Sequence, residues 1–202
     1  MKSLKLFESK SFELPNNGVH PGRCFRFVDL GTQAGDFQGK PTSARKVLLS
    51  FELVGDERQS DGKPFTISRR FTASLSEKSA LRAFIESWQS RKLGSQDMRS
   101  GFDPVTLLGQ SALLTIVHHD RDGKQYANIQ SISALPKGMP VSVPHYEIVK
   151  FDLDAPDWST FESLSQGLKD AIMSSPEYKK ATQAPGKDND DWEGIEEAEP
   201  TS

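Results

Sequence analysis

One change of hydrophobic period constrains this chain more than any other feature. Over Arg45–Val54 the residues Val47, Leu49, Phe51 and Leu53 share one face and Lys46, Leu48, Ser50 and Glu52 the other. That is the period-2 signature of a half-buried strand. Phe65–Thr72 reads as a further strand. The period then becomes helical: Leu81, Phe84, Ile85 and Trp88 fall at i, i+3, i+4 and i+7, one stripe of an amphipathic helix. Ser74 with Glu77 three residues on predicts a capping box at its start, and Gly94 a stop. After a linker at 94–109 the period returns to two. Ser111–His119 and Lys124–Ser133 are strands joined by the turn pair Asp122-Gly123. Upstream, Arg23–Leu30 is aromatic and β-branched, hence the first strand, and the Gly- and polar-rich run GTQAGDFQGKPTSA at 31–44 reads as a long loop.

The order is therefore three strands, one helix, two strands. Five short strands cannot hide their edges in an open sheet, and closure into a small barrel removes most of them. A helix between strands three and four predicts a mainly β fold, a five-stranded OB-type barrel over residues 20–135, with the Leu81/Phe84/Ile85/Trp88 stripe plugging one end. An SH3-like barrel lacks a helix of this length there, and a ferredoxin-like fold needs a helix after strand one. Residues 1–19 form an N-terminal extension with one short strand, Lys10–Leu14. Residues 136–180 form a C-terminal extension. In it Pro136, Pro140 and Pro144 end regular structure, and Asp157–Met173 is a helix closed by Pro176, with Trp158, Phe161, Leu164, Leu168 and Ile172 on one side. From 181 apolar content falls away, which predicts a disordered acidic tail over 181–202.

Charge is distributed unevenly. The net charge is -3, but residues 187–202 alone carry one Lys against seven Asp and Glu. The remaining 186 residues are net positive, and residues 1–135 carry 19 Lys and Arg against 14 Asp and Glu. A mildly basic body beside an acidic tail points to a polyanion partner for the body. No apolar run approaches the ~18 residues of a membrane span, and the start lacks the apolar stretch of a signal peptide. The lone Cys24 cannot form an internal disulfide, which fits a reducing cytoplasm. Catalytic patterns are missing: no P-loop, no dinucleotide-binding glycine motif after a strand, no CxxC pair and no nucleophile elbow. In His118-His119-Asp120 adjacent strand residues point to opposite faces, so the two histidines do not readily share a metal. Asp56-Glu57 and Asp152/Asp154 lie in loop-like segments and read as solvated turns. The expectation is a non-enzymatic protein without metal or cofactor.

Single strands are held by a positive groove that tracks phosphates and by aromatic faces on which bases stack. On an OB barrel the groove crosses strands two and three, between the loops joining strands one–two and four–five. Those places hold Arg26 and Phe27; Phe37 and Lys40; Arg45 and Lys46; Arg69 and Arg70; and Arg121, Lys124, Tyr126 and Asn128. Arg23 also lies on strand one. Phe25 and Phe27 share a face in a regular strand, and one face must be core, so their assignment stays open. Tyr126 is in phase with Asn128 and Gln130, opposite Ala127 and Ile129, which favours exposure. Arg69-Arg70 is a stronger constraint. Adjacent arginines in a strand point both ways, so one is forced toward the apolar side and requires a bulge, a carboxylate such as Glu52, or a bound phosphate.

Several segments, in order, resemble the OB-fold single-stranded-DNA-binding proteins of tailed bacteriophages and prophages. They are GTQ after strand one, SRRFTASLSEKSALRAFIESW, GFDPVTLLGQSALLTIVH and DGKQYANIQSISALPKGM, with a weaker continuation through VKFDLDAPDW. The resemblance covers about residues 20–140. It implies a protein that coats single-stranded DNA during replication or recombination in the cytoplasm of a bacterial host. In such proteins an acidic tail often recruits partners. Here Asp190, Asp191, Trp192, Glu193 and Ile195 are the matching residues, although the chain ends in Pro-Thr-Ser rather than an aromatic residue. The competing expectation is an OB-fold protein-interaction or virion-associated module that does not bind nucleic acid.

Overall fold

The computed structural model describes residues 13–183, apart from the side chain of Phe37. Six strands make one sheet: β1 (Gly18–Phe37), β2 (Lys40–Leu53), β3 (Thr66–Thr72), β4 (Ser111–Arg121), β5 (Lys124–Ala134) and β6 (Val149–Phe151). The path runs β3-β2-β1-β4-β5 through antiparallel pairs, and β6 adds parallel to β1. β1 serves three partners. Gly22–Phe37 pairs β2, Gly18–Arg23 pairs β4, and Arg26–Val28 pairs β6. The fold is mainly β, as expected, but the sheet is open: among the described residues no backbone ladder joins the edge strands β3 and β5. A side chain spans that seam instead. The Arg69 guanidinium donates to the carbonyls of Ile129 at 3.0 Å and Gln130 at 3.4 Å. No helix among the described residues is long and apolar enough to cross a membrane.

Two expectations for β1 and β2 are corrected. Residues 31–44 are not a loop. They are the outer half of a long hairpin whose turn, Gln38-Gly39, has φ of +54° and +75°. Two successive positive φ values match the right-handed strand twist, as in an Asn-Gly hairpin, but Gln-Gly carries a weaker signal. Phe25 and Phe27 do not share a face either. The register shifts between Cys24 and Arg26, leaving Phe25 as an extra residue in a β-bulge. Cys24 and Phe27 consequently enter the main core, whereas Phe25 stacks on Tyr146 at 5.1 Å.

There are two cores rather than one. The main core takes Leu49, Phe51 and Leu53 of β2, Ile67 and Phe71 of β3, and the stripe of α1 (Ala80–Gln89). Phe84 lies 4.8 Å from Phe71, Trp88 lies 5.3 Å from Phe51, and the Trp88 indole donates to Ser111 O at 3.0 Å, so α1 caps this core as the stripe predicts. The second core lies on the opposite face of the sheet. There Val28, Leu30 and Leu48 meet Phe151, Phe161, Leu168 and Ile172 from the C-terminal segment. A single amphipathic strand pattern conceals this second burial, because β2 is apolar on both faces near Leu48.

Helix ends also differ from expectation. The cap of α1 is Ser79, which accepts from Arg82 N, not Ser74 with Glu77. α1 stops at Ser90, φ +50°, four residues before Gly94. The linker 94–109 contains α2 (Ser95–Ser100) and a 3-10 turn at Pro104–Leu107. Asp157–Met173 is not continuous. It divides at Leu164-Ser165 into α3 (Trp158–Ser163) and α4 (Gln166–Met173). Pro176 does not close regular structure but opens α5 (Pro176–Gln183), a position where its missing N–H is harmless. Of the expected N-terminal strand, residues 10–12 lie outside the described residues and Glu13-Leu14 are not in a strand. The residues beyond 183 in the expected disordered tail also lie outside them.

Candidate nucleic-acid interface

Cross-strand neighbours share a face of a sheet. Arg26 of β1 pairs Ser50 of β2, which pairs Ser68 of β3, and the Ser68 hydroxyl donates to Ser50 Oγ at 2.8 Å. One register step on, Val28 pairs Leu48 and Leu48 pairs Arg70. The outer face of β1–β3 therefore carries Arg26 and Arg70 on either side of Leu48. Over Leu48 packs Leu168 of α4. Between α4 and the β3–β5 seam lies a groove of about 720 Å³, whose lining includes Arg26, Arg69, Arg70, Ser68 and Asn128. Ser165 and Leu168 of the C-terminal segment form its other wall. Among the described residues no carboxylate lines it.

Arg26 is half-buried, with its guanidinium 5.0 Å from the centre of the Phe25 ring. Its Nε is buried without a hydrogen-bond partner, and burial pushes its pKa below the ordinary arginine value. Arg70 is exposed. Arg69 is the arginine that faces the apolar side, and neither a bulge nor a carboxylate compensates it. Two β5 carbonyls take its donors, and the Phe71 and Phe84 rings lie 5.2 and 5.5 Å from its guanidinium. Glu52 serves Arg23 instead, accepting from its Nε at 2.6 Å and from the backbone N–H groups of His145 and Tyr146.

Two expected contact residues belong to the framework. Phe27 is 5% exposed and lies in the main core, so it offers no face to a base. Arg45 pairs with Asp29 and Asp154 at 2.5 and 2.9 Å. The hydrogen bond to Asp29 holds its pKa well above the ordinary value. Arg45 lines a separate cleft with Asp103, Asp152 and Asp154, whose charge is opposite to that of the groove. Arg23 is likewise committed, to Glu52. The other expected residues are surface groups. Lys46 is half-buried on the outer face and donates to Thr72 Oγ1 at 2.8 Å. Lys40 is exposed at the tip of the β1–β2 hairpin, where Phe37 pairs it. Arg121 and Lys124 are exposed at the β4–β5 turn, and Asp122 lies 3.5 Å from Arg121. Tyr126 is 47% exposed and shares its strand face with Asn128, which reaches the groove. Asp190, Asp191, Trp192, Glu193 and Ile195 lie outside the described residues.

Sequence reasoning missed Ser68, Ser165 and Leu168. Ser68 could have been found, since it shares a strand face with Arg70. The other two had weaker signals, Ser165 as an N-cap residue type and Gly167 just after it, inside a stretch whose apolar spacing reads as one continuous helix. His118 and His119 do not converge. His118 bonds the carbonyl of Pro15 at 2.7 Å, and His119 is exposed. Cys24 is fully buried, and burial pushes its thiol pKa up to about 12, the behaviour of a core residue rather than a nucleophile. A scan of protein-family models finds no match to the chain, and neither does a search of curated proteins.

Proposed function

We infer that the protein binds single-stranded nucleic acid without catalysing a reaction, and that single-stranded DNA is its ligand. The groove carries this reading: three guanidinium groups, no carboxylate among the described residues, and Asn128 and Tyr126 continuing along β5. A phosphate chain neutralises such a row, and bases stack on exposed aromatic faces at roughly 1–3 kcal/mol each. We read the curled sheet as an OB-type barrel whose seam is spanned by Arg69, with α1 as the plug between strands three and four. The groove then crosses β2 and β3, where that fold holds single strands. The sequence resemblance to phage and prophage single-stranded-DNA-binding proteins supports the same reading. On that resemblance the protein would act in replication or recombination in a bacterial host, with Trp192 and Ile195 of the acidic tail as anchors for protein partners.

Fluorescence anisotropy with labelled oligo(dT), duplex DNA and RNA at two salt concentrations tests this. Expected is sequence-tolerant binding to oligo(dT) that weakens steeply with salt. Arg70→Ala should weaken it and lower the slope of log K against log salt by about 1. Absence of binding to all three ligands would refute the reading in favour of a protein-interaction module.

A further inference from the structure

We propose that α4 is itself part of the binding surface: one phosphate of the bound strand seats between Arg26 and the first turn of α4, contacting the Ser165 hydroxyl and the N–H groups that follow it. This rests on the reading of the groove as a nucleic-acid site and extends it beyond the barrel.

The bulge at Phe25 turns Arg26 onto the outer face of β1, beneath α4. There its Nε is buried with no hydrogen-bond partner among the described residues, while its guanidinium lies 5.0 Å from the centre of the Phe25 ring. Among the described residues no carboxylate forms an ion pair with it. Arg26 itself lines the groove, so an anion seated there meets an arginine with no carboxylate partner among the described residues.

The opposite wall has the complementary deficiency. Ser165 stands at the N-cap of α4 in extended conformation, but its hydroxyl caps no backbone N–H. The first N–H groups of a helix have no intrahelical partner, and they face an anion favourably. Ser165 and Leu168 line the same groove as Arg26. Leu168 belongs to the same buried cluster as Leu48 and Val28, and α4 packs against β1, which sets its first turn beside the arginine face of the sheet. A phosphodiester has two free oxygens. One suits the edge of a guanidinium, the other a serine hydroxyl with a helical N–H.

Ser165→Asp separates this from a structural role. Aspartate is among the best N-caps, so the helix is retained or strengthened while a carboxylate occupies the anion position. The expected result is unchanged or higher thermal stability, about tenfold weaker oligo(dT) binding at low salt, and a salt slope smaller by about 1. Thr182→Asp on the exposed face of α5 adds the same charge away from the groove and should leave affinity within about twofold. If Ser165→Asp binds like wild type while Arg70→Ala is impaired, the groove binds DNA but α4 takes no part, and the proposal is overturned. Equal weakening by Ser165→Asp and Thr182→Asp would reduce the effect to net charge and overturn it as well. If Arg70→Ala and Ser165→Asp are both unchanged, the groove reading fails with it.

Discussion

At the scale of single residues, the charged groups divide into those that hold the fold and those left for a ligand. Glu52 is fully buried yet makes an ion pair and two backbone hydrogen bonds, so its charge is satisfied. Asp29 is similar: Arg45, Gly31 N and Leu153 N all donate to it. Glu86 on α1 accepts from Lys92 at 2.9 Å, Arg82 at 2.9 Å and Leu93 N at 3.0 Å. Those bonds, Lys92 first, bring its pKa from 4.5 down to about 2. A carboxylate with a depressed folded-state pKa contributes stability that is present above its unfolded value and is lost as pH falls through the folded one. Glu86→Gln should therefore be less stable than wild type at pH 7. The difference should narrow below pH 4.5 and close near pH 2, which urea unfolding at a series of pH values would show. A gap independent of pH would assign the residue a packing role instead.

At the scale of elements, the least forgiving contact joins the hairpin to the C-terminal helices. Gly31 has φ of +67°, and a Cβ placed there would lie 2.5 Å from Ser175, itself fully buried. Next to it, Thr32 donates its N–H to Glu177 of α5 at 2.8 Å. Gly31→Ala is thus strained in its backbone and clashes with the start of α5. It should cost about 2 kcal/mol, a fall in Tm on the order of 5 °C. Limited proteolysis should then release fragments cut between 135 and 148 sooner than in wild type. This coupling is also what sequence reading did not reach. The position of α1 was legible because Leu81, Phe84, Ile85 and Trp88 repeat at helical spacing, and Asp122-Gly123 announced its hairpin through ordinary turn chemistry. Gln38-Gly39 did not, so half a hairpin was expected to be a loop. The bulge at Phe25 changes the phase of β1 without any Gly or Pro, which is why Phe27 was available as a contact residue until its burial was seen. Arg69, Arg70 and Asn128 were found because a strand fixes which neighbours share a face. Arg45 and Arg23 were misplaced because their partners, Asp29, Asp154 and Glu52, are set by register and by long-range packing that a single sequence leaves open.

At the scale of the whole molecule, charge is segregated into regions that can compete. Among the described residues the groove presents Arg26, Arg69 and Arg70 without a carboxylate, and a separate cleft gathers Asp103, Asp152 and Asp154 around Arg45. Residues 187–202 add seven acidic side chains against one Lys, tethered within a few residues of α5. At up to ~3.5 Å per residue, a stretch as long as the 19 residues after Gln183 spans at most on the order of 65 Å. A tethered polyanion acts at high effective concentration, so on the proposed reading it would compete with DNA phosphates for the same arginines. Removing residues 187–202 should therefore tighten oligo(dT) binding several-fold at low salt. The advantage should shrink as salt rises, because exposed charges are screened over ~10 Å at 0.1 M and ~3 Å at 1 M. Anisotropy titrations of the full-length and truncated chains at three salt concentrations would measure both effects. Equal or weaker affinity after truncation would show that the tail does not compete for the groove. A tightening that persists unchanged at 1 M would point to a contact other than charge.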